Sequence, residues 1–363
     1  MTKLHDLAEQ GQSAWVDFLS RPFVRDGELE RLVAEGVSGL TSNPTIFAKA
    51  IAAGDYDDQL GDLFARETGD KDAFLAVAAS DIQQACDILR PVFDRGDSSR
   101  DGWVSLEVDP RLADDTAGTI DEAQHLHQLI DRPNLFVKIP GTEAGIPAIE
   151  ECIVHGIPIN VTLLFSLDRH RQAAEAYLRG LQRRLAAGED LSGVASVASF
   201  FVSRVDAEAD GRLQHIVEGS DLVATLAIAN AKLAYQTYVE LFTGPTWDVL
   251  AAAGGSPQRC LWASTSTKDP AMRDVRYVEA LIGNDTVTTM PTDTVAAFQD
   301  HGDVASTLAK GVSEARQTMD LWAQTGIDYA DVTRVLEEEG VQKFAESFEE
   351  LLETVANKRD EIA

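Results

Sequence analysis

The chain has 363 residues, with 31 Lys and Arg against 60 Asp and Glu, which gives a formal charge of −29. Its hydrophobic fraction of 44% is typical of a globular protein and excludes a largely disordered chain. The acidic balance argues against nucleic acid or an anionic membrane as the main partner. An anionic small substrate remains compatible with the composition, but it would need a locally basic pocket.

The cysteines and the N-terminal segment indicate the cellular compartment. Cys86, Cys152 and Cys260 are odd in number and widely spaced, which disfavours a disulfide framework or a zinc site. The N-terminal stretch MTKLHDLAEQGQSAW lacks the apolar core of a signal peptide. Since no run approaches the roughly 18 apolar residues of a membrane span, we predict a cytoplasmic protein.

Eight short apolar runs, each bounded by Gly, Pro, Asp or Ser, predict eight buried strands. Several are almost continuously apolar, as is typical of strands in a parallel sheet. In chain order they are WVDFLS (15–20), SGLTSN (38–43), WVSLEV (103–108), LFVKIP (135–140), IPINVT (157–162), VASVASFFV (194–202), RCLWAST (259–265) and DTVTTMP (285–291).

Helical periodicity alternates with these runs, at 70–94, 168–188, 221–243 and in a tail from 341. Eight alternating strands and helices predict an α/β protein, a single (β/α)8 TIM barrel over residues 1–363. A doubly wound sheet is the alternative. The stretch 44–102 is too long for one crossover and predicts additional helices, and C-terminal helices are expected at about 303–363.

Catalytic groups of such barrels lie at the carboxyl ends of the strands. Polar residues close most of the predicted strands, and Asp109 before Pro110 is more typical of a turn than of a catalyst. The remaining strand-end candidates are Asp17, Thr41, Ser42, Asn43, Glu107, Asn160, Thr162, Ser199, Arg204, Ser264 and Ser266.

Lys138 lies inside the apolar run LFVKIP, although lysine is depleted in strands and is almost never buried without a partner. Burial favours a neutral amine, which is the nucleophile that forms a Schiff base with a carbonyl substrate. Asp17 and Glu107 would supply the proton transfers of that chemistry. In the alternative interpretation, Lys138 points into the helix layer or belongs to a structural ion cluster.

No metal or cofactor is predicted. His125 and His127 lie in an amphipathic helical pattern with no third ligand at suitable spacing. The glycine-rich stretch 141–145 lacks the frame of a phosphate-binding P-loop.

Seven motifs together resemble the transaldolase family, in the order that the family has them and over residues 15 to about 355. They are GLTSNPTIF (39–47), VSLEVDPRLADDT (104–116), LFVKIPGTEAGIPAI (135–149), INVTLLFS (159–166), SFFVSRVD (199–206), TTMPTDT (288–294) and KFAESFEELL (343–352).

The resemblance implies a cofactor-free class I transferase of the longer bacterial type. It would move a dihydroxyacetone unit between ketose phosphates (fructose 6-phosphate, sedoheptulose 7-phosphate) and aldose phosphates (erythrose 4-phosphate, glyceraldehyde 3-phosphate) in the non-oxidative pentose phosphate pathway. A fructose-6-phosphate aldolase-like enzyme and a non-catalytic sugar-phosphate-binding barrel are the alternatives. Chain length and Glu107 argue against the first, and Lys138 with Asp17 and Glu107 argues against the second. A homo-oligomer is compatible with the sequence.

By motif position, the resemblance makes Lys138 the Schiff-base lysine and Asp17 the general acid and base, while Glu107 and Thr162 hold a catalytic water. The resemblance also implies a set of substrate ligands, which are Thr41, Asn43, Asn160, Ser199, Arg204 and Ser264.

The sequence departs from the family after the seventh strand. Many transaldolases have Ser-x-Arg there, with the arginine on the substrate phosphate, whereas this chain has Ser264 and then Ser266. We expect Arg204 to be the main phosphate ligand, Lys268 to supply the second charge and Ser266 to add a neutral hydrogen bond. In the alternative, Lys268 pairs with Asp269 or faces solvent.

Overall fold

The computed structural model describes residues 2–95, 100–216 and 219–362. Within them, eight parallel strands form a closed barrel in sequence order, and the last strand pairs with the first. The predicted TIM barrel is therefore confirmed, and each predicted run overlaps one strand. The strands are β1 (Gln12–Asp17), β2 (Val37–Thr41), β3 (Trp103–Glu107), β4 (Leu135–Pro140), β5 (Ile159–Leu164), β6 (Ser196–Phe201), β7 (Arg259–Ala263) and β8 (Thr286–Met290).

The strand β1 begins three residues earlier than predicted, at Gln12, and ends three residues earlier. Gln12 and Ser13 are polar but buried, so they interrupted the apolar pattern of the sequence. Gln12 Nε2 donates to the Leu281 carbonyl at 2.7 Å and to Thr286 Oγ1 at 3.0 Å, and Ser13 Oγ accepts from Arg259 at 2.8 Å. These hydrogen bonds make polar residues acceptable inside a strand.

Helices fill the connections. Before β2 lie α1 (Lys3–Glu9), α2 (Arg21–Arg25) and α3 (Glu28–Ala34). The stretch 44–102 contains the additional helices that were predicted, although its residues 96–99 lie outside the described part: α4 (Pro44–Ala52), α5 (Asp57–Phe64) and α6 (Asp70–Phe93). The later connections contain α7 (Thr116–Ile130), α8 (Gly145–Val154), α9 (Leu167–Ala187), α10 (Ser203–Gln214), α11 (Leu226–Leu241), α12 (Pro245–Ala252), α13 (Arg276–Ala280) and α14 (Thr292–His301). The C-terminal helices are α15 (Val312–Gln324) and α16 (Tyr329–Ile362).

The ends of these helices follow from local sequence. The side chain of Ser166 accepts from the Arg169 backbone N–H at 3.0 Å and caps α9, which ends at Gly188 with a φ of +77°. Asn43 caps α4 in the same way, and Pro44 follows at the first helical position. Among the helices of the described residues, none is both long and apolar enough to cross a membrane.

The helix α16 has 34 residues and begins well before the tail helix that the sequence predicted. Its buried face packs on the helices that follow β2, with the ring centroid of Phe348 5.9 Å from that of Phe74. Near its end, Arg359 forms an ion pair with Asp70 at 2.7 Å. These contacts fix α16 beside the carboxyl ends of the strands, where it contributes Phe344 to the site described below.

The aromatic rings of Trp15, Trp103 and Phe136 pack together on β1, β3 and β4. The rings of Trp103 and Phe136 stack at 4.1 Å, and Trp15 lies 6.1 Å from Phe136. A Cβ atom at Gly39 on β2 would collide with the Trp15 indole, so this position requires glycine. Residues nearer the carboxyl ends of the strands then face the mouth of the barrel.

Candidate active site

A cavity of about 210 Å³ opens at the carboxyl ends of the strands. Every site residue predicted from the sequence lines it, except Ser42, Glu107 and Asn160, which are hydrogen-bonded to residues of its lining. The lining residues are Asp17, Thr41, Asn43, Lys138, Thr162, Ser199, Phe201, Arg204, Ala263, Ser264, Ser266, Lys268, Thr289, Pro291 and Phe344.

Lys138 is 6% exposed and extends from β4 into this cavity, not into the helix layer. Its Nζ lies 3.4 Å from Glu107 Oε2, 3.3 Å from the Ser42 carbonyl oxygen and 5.4 Å from the centroid of the Phe344 ring. Strand register explains the first contact, because Lys138 pairs with Glu107 on β3. The amine is therefore held between a carboxylate and an aromatic face at the floor of the cavity.

Asp17 is the last residue of β1 and pairs with Thr41 on β2. Thr41 Oγ1 donates to Asp17 Oδ1 at 2.7 Å and lies 3.0 Å from Thr289 Oγ1. Burial raises the pKa of Asp17, and the charge of Lys138, the Thr41 hydrogen bond and the charge of Arg204 oppose that rise. The carboxylate is thus oriented by one hydroxyl while its second oxygen stays available to a ligand.

Glu107 lies below the cavity with its side chain 5% exposed. Burial raises its pKa to about 7, against the opposing charge and hydrogen bond of Lys138, and the charge of Asp17 adds to the rise. A carboxyl with a pKa near 7 can both hold and release a proton at neutral pH. The carboxyls of Asp17 and Glu107, on either side of the Lys138 amine, therefore have different surroundings. Such a difference is the usual basis for separate acid and base roles.

A chain of hydrogen bonds links β6, β5 and β3 beside Lys138. Ser199 Oγ donates to Asn160 Oδ1 at 2.7 Å, and Asn160 Nδ2 donates to Ser105 Oγ at 3.0 Å. Asn160 pairs with Lys138 in the register of β4 and β5. Because Ser105 fixes the amide, the Ser199 and Asn160 pair has a defined orientation next to the amine.

Thr162 lies on β5 two residues after Asn160. Its buried hydroxyl has no hydrogen-bond partner among the described residues. The strand is irregular here, since Leu163 has a φ of +58° and the pairing with β6 shifts between Val161 and Leu164. A buried hydroxyl is normally hydrogen-bonded, so this group is suited to a ligand or a water of the reaction.

Cationic groups gather on the far side of the cavity. Arg204, the second residue of α10, is half-buried, and its guanidinium carbon lies 5.2 Å from the Phe201 ring centroid. Lys268 Nζ lies 3.3 Å from Ser266 Oγ, whereas Asp269 accepts a hydrogen bond from the backbone of its own loop. Lys268 lines the rim of the cavity while its side chain is exposed to solvent, and it forms no ion pair with Asp269.

The serines after β7 hold this side of the cavity in place. Ser264 Oγ lies 2.9 Å from Ser203 Oγ, which joins the loop after β7 to the start of α10. Ser264 has a φ of +55°, a left-handed conformation that is costly for a residue other than glycine and is often found at functional sites.

Comparison with known proteins gives the family. The profile of the transaldolase/fructose-6-phosphate aldolase family matches residues 14–355, which include every residue of the cavity. The chain belongs to this family. A protein named transaldolase from Parafrankia sp. (strain EAN1pec) is 51% identical over 357 residues, covering 97% of this chain and 96% of the relative. Two further proteins of that name are similar, from Acidothermus cellulolyticus (51% over 356 residues, 97% and 95% covered) and Saccharopolyspora erythraea (49% over 363 residues, 99% and 98% covered).

Several lining residues of this family member escaped the sequence reasoning. Phe201, Thr289 and Pro291 belong to predicted strands but carry no group that suggests chemistry by itself. Phe344 is separated from Lys138 by more than 200 positions, and its apolar spacing in the tail indicated only a packed helix face. Lys49 on α4 was also missed; it lies in a second cavity of about 300 Å³ that adjoins the first.

A larger cavity of about 700 Å³ lies elsewhere, between the start of α9 and α16. Its lining has five carboxylates and two arginines, and each arginine is paired with a lining carboxylate, Arg169 with Glu337 at 3.2 Å and Arg334 with Glu338 at 2.7 Å. Since this lining is acidic and lacks Lys138, it is a poor candidate for an anionic carbonyl substrate.

Proposed function

We propose that the protein is a transaldolase that carries a dihydroxyacetone unit on Lys138 as a Schiff base. The donors would be sedoheptulose 7-phosphate and fructose 6-phosphate, and the acceptors glyceraldehyde 3-phosphate and erythrose 4-phosphate, in the non-oxidative pentose phosphate pathway of the cytoplasm. The observation that carries this proposal is the buried amine of Lys138 at the cavity floor, with Glu107 at 3.4 Å and Asp17 in the same lining. The names of the full-length relatives support it.

In the first step, the neutral amine of Lys138 attacks the C2 carbonyl of the ketose phosphate. The resulting carbinolamine loses its hydroxyl as water, which requires one proton from a nearby acid. Glu107 is suited to that task because its pKa of about 7 lets it hold a proton at neutral pH. The unpartnered hydroxyl of Thr162 is suited to hold the water that leaves and later returns.

In the second step, Asp17 removes the proton of the C4 hydroxyl. The C3–C4 bond breaks, its electron pair moves into the C2–C3 bond of the enamine, and C4 leaves as the carbonyl of the aldose phosphate. The hydrogen bond from Thr41 keeps the carboxylate of Asp17 directed at the cavity. The acceptor aldehyde then reacts through the same steps in reverse, and Asp17 returns the proton.

The remaining groups hold the substrate. Asn43, Asn160 and Ser199 are suited to the hydroxyls of the dihydroxyacetone unit, since they lie around Lys138 and combine donors with acceptors. Arg204 and Lys268 are suited to the phosphate of the aldose part. The face of Phe344 stabilises the positive charge of the iminium and limits the access of water to it.

Reduction with borohydride in the presence of fructose 6-phosphate tests the covalent step. We expect one reduced dihydroxyacetone adduct, on the peptide that contains Lys138, and none in the matched Lys138→Ala variant or without sugar. An adduct on a different lysine would overturn the assignment, as would an active enzyme that yields no adduct.

Product analysis distinguishes transfer from release. With fructose 6-phosphate and erythrose 4-phosphate together, we expect sedoheptulose 7-phosphate and glyceraldehyde 3-phosphate. Free dihydroxyacetone as the main product, with acceptor present, would indicate the aldolase reaction instead. Binding of sugar phosphates without any turnover would indicate a non-catalytic barrel.

A further inference from the structure

Three cations, Lys49, Arg204 and Lys268, line the two cavities at the mouth of the barrel. Many described arginines and lysines elsewhere are held by carboxylates, such as Lys71 by Asp109 at 3.0 Å. Lys49, Arg204 and Lys268, in contrast, form no ion pair within 4.0 Å with any Asp or Glu of the described residues. Their charges are therefore available to an anionic ligand.

Lys49 lies in the second cavity, of about 300 Å³, which shares part of its lining with the first. The shared residues include Asp17, Asn43 and Arg204, whereas Lys138 belongs to the first cavity alone. At the outer side of this cavity, Thr45 Oγ1 on α4 donates to Ser347 Oγ on α16 at 3.0 Å in an exposed contact. The second cavity therefore extends from the donor-binding residues away from the amine.

The barrel topology separates the two lysines. Lys268 follows β7, and Lys49 lies on α4, which follows β2. Since β8 and β1 lie between those two strands in the closed barrel, the lysines approach the mouth from different directions. Arg204 lines both cavities, so one guanidinium can bind a phosphate together with either lysine.

We propose that Lys49 and Arg204 form a second phosphate position, which is used by the longer aldose chain. This inference rests on the proposed transaldolase function. The aldose part of sedoheptulose 7-phosphate has four carbons, and that of fructose 6-phosphate has three. The phosphate of the four-carbon chain extends farther from the dihydroxyacetone carbons on Lys138. It reaches the Lys49 cavity, while the phosphate of the three-carbon chain stays between Arg204 and Lys268.

Steady-state kinetics of Lys49→Ala tests this position. We expect KM to rise about tenfold for sedoheptulose 7-phosphate and erythrose 4-phosphate, the loss of about one charge-assisted contact, and less than twofold for fructose 6-phosphate and glyceraldehyde 3-phosphate. The kcat values should change little, and Lys49→Arg should restore the lower KM. In Lys268→Ala, KM should instead rise more for fructose 6-phosphate and glyceraldehyde 3-phosphate than for sedoheptulose 7-phosphate and erythrose 4-phosphate.

The matched control is Lys3→Ala, which removes one positive charge on α1, before β1 and away from both cavities. It should leave all four KM values unchanged. An equal rise for both chain lengths in Lys49→Ala, or no rise, would overturn the second position while leaving the proposed function intact. A wild-type enzyme without transfer activity would overturn both.

Discussion

Glu107→Gln offers a test in which activity and stability are expected to move in opposite directions. Glutamine has the shape of a protonated glutamate but can neither ionise nor move a proton. The wild-type carboxyl is buried, and its pKa lies at about 7 in place of the ordinary 4.5. The substitution therefore removes the energetic cost of a buried charge together with the proposed proton carrier.

The size of the stability change follows from the pKa. Below pH 4.5 the group is protonated in the folded and the unfolded chain, and it contributes nothing. Between pH 4.5 and 7 the unfolded chain ionises while the folded chain keeps the proton, so the stability of the wild type falls as pH rises. The change from 4.5 to about 7, at about 1.4 kcal/mol for each pKa unit, corresponds to roughly 3 kcal/mol above pH 7.

Denaturant unfolding at pH 5, 6, 7 and 8 measures this difference. We expect the advantage of Glu107→Gln in unfolding free energy to grow from about 1 kcal/mol at pH 5 to about 3 kcal/mol at pH 8. The control is Glu353→Gln, an exposed carboxyl on α16, for which we expect no such trend. A difference that is flat with pH, or a variant less stable than the wild type at pH 8, would refute the reasoning.

The same variant should lose activity by about 10²–10⁴, the usual contribution of a positioned acid or base. In the wild type, kcat/KM should fall as pH drops below about 7, because Glu107 is then protonated and can no longer accept the proton that Lys138 must give up to become a nucleophile. This acidic limb should be absent in Glu107→Gln. If the limb persists in the variant, another group is responsible for it.

Three further predictions follow from the same cavity. Asp17→Ala should slow turnover by about 10²–10⁴ with an unchanged circular dichroism spectrum, and unfolding would instead favour a structural ion cluster. Arg204→Ala should raise KM for fructose 6-phosphate far more than for unphosphorylated dihydroxyacetone donors, and Lys268→Ala should do so more weakly; unchanged KM values would exclude these cations from the phosphate site. Activity should survive EDTA, since no group of three or more His, Cys, Asp or Glu in the described residues could hold a metal ion. If EDTA abolished the activity and an added divalent ion restored it, this prediction would be wrong.

The fold could be predicted because every strand of a parallel barrel is buried on both sides and reads as an apolar run. The prediction was wrong by three residues at β1, where Gln12 Nε2 and Ser13 Oγ have partners on β7, on β8 and in the loop before β8. Such partners lie far away in the sequence, so local hydrophobicity could not reveal them. The tail helix was predicted only from 341, whereas α16 begins at Tyr329 and already buries Val332 and Leu336 in its first turns.

The site could be predicted where strand ends carried the chemistry, since closure of the barrel brings all eight ends to one mouth. The contacts between its charged side chains could not be predicted from the sequence. The contact between Lys138 and Glu107 depends on the register of β3 with β4, and a shift of one residue would turn one of the two side chains to the other face of the sheet. Phe344 and Lys49 come from helices whose placement depends on packing over the whole mouth.

In the proposed mechanism, the arrangement of Asp17, Lys138 and Glu107 also explains how the buried Lys138 would become a nucleophile. When a proton passes from the Lys138 ammonium to Glu107 across 3.4 Å, the amine and the acid both become neutral and the total charge of the three groups is unchanged. Transfer within the pair therefore avoids burying additional charge, which would be costly at this depth. Formation of the iminium restores a positive charge at the same nitrogen, where the Phe344 face and the Asp17 carboxylate stabilise it.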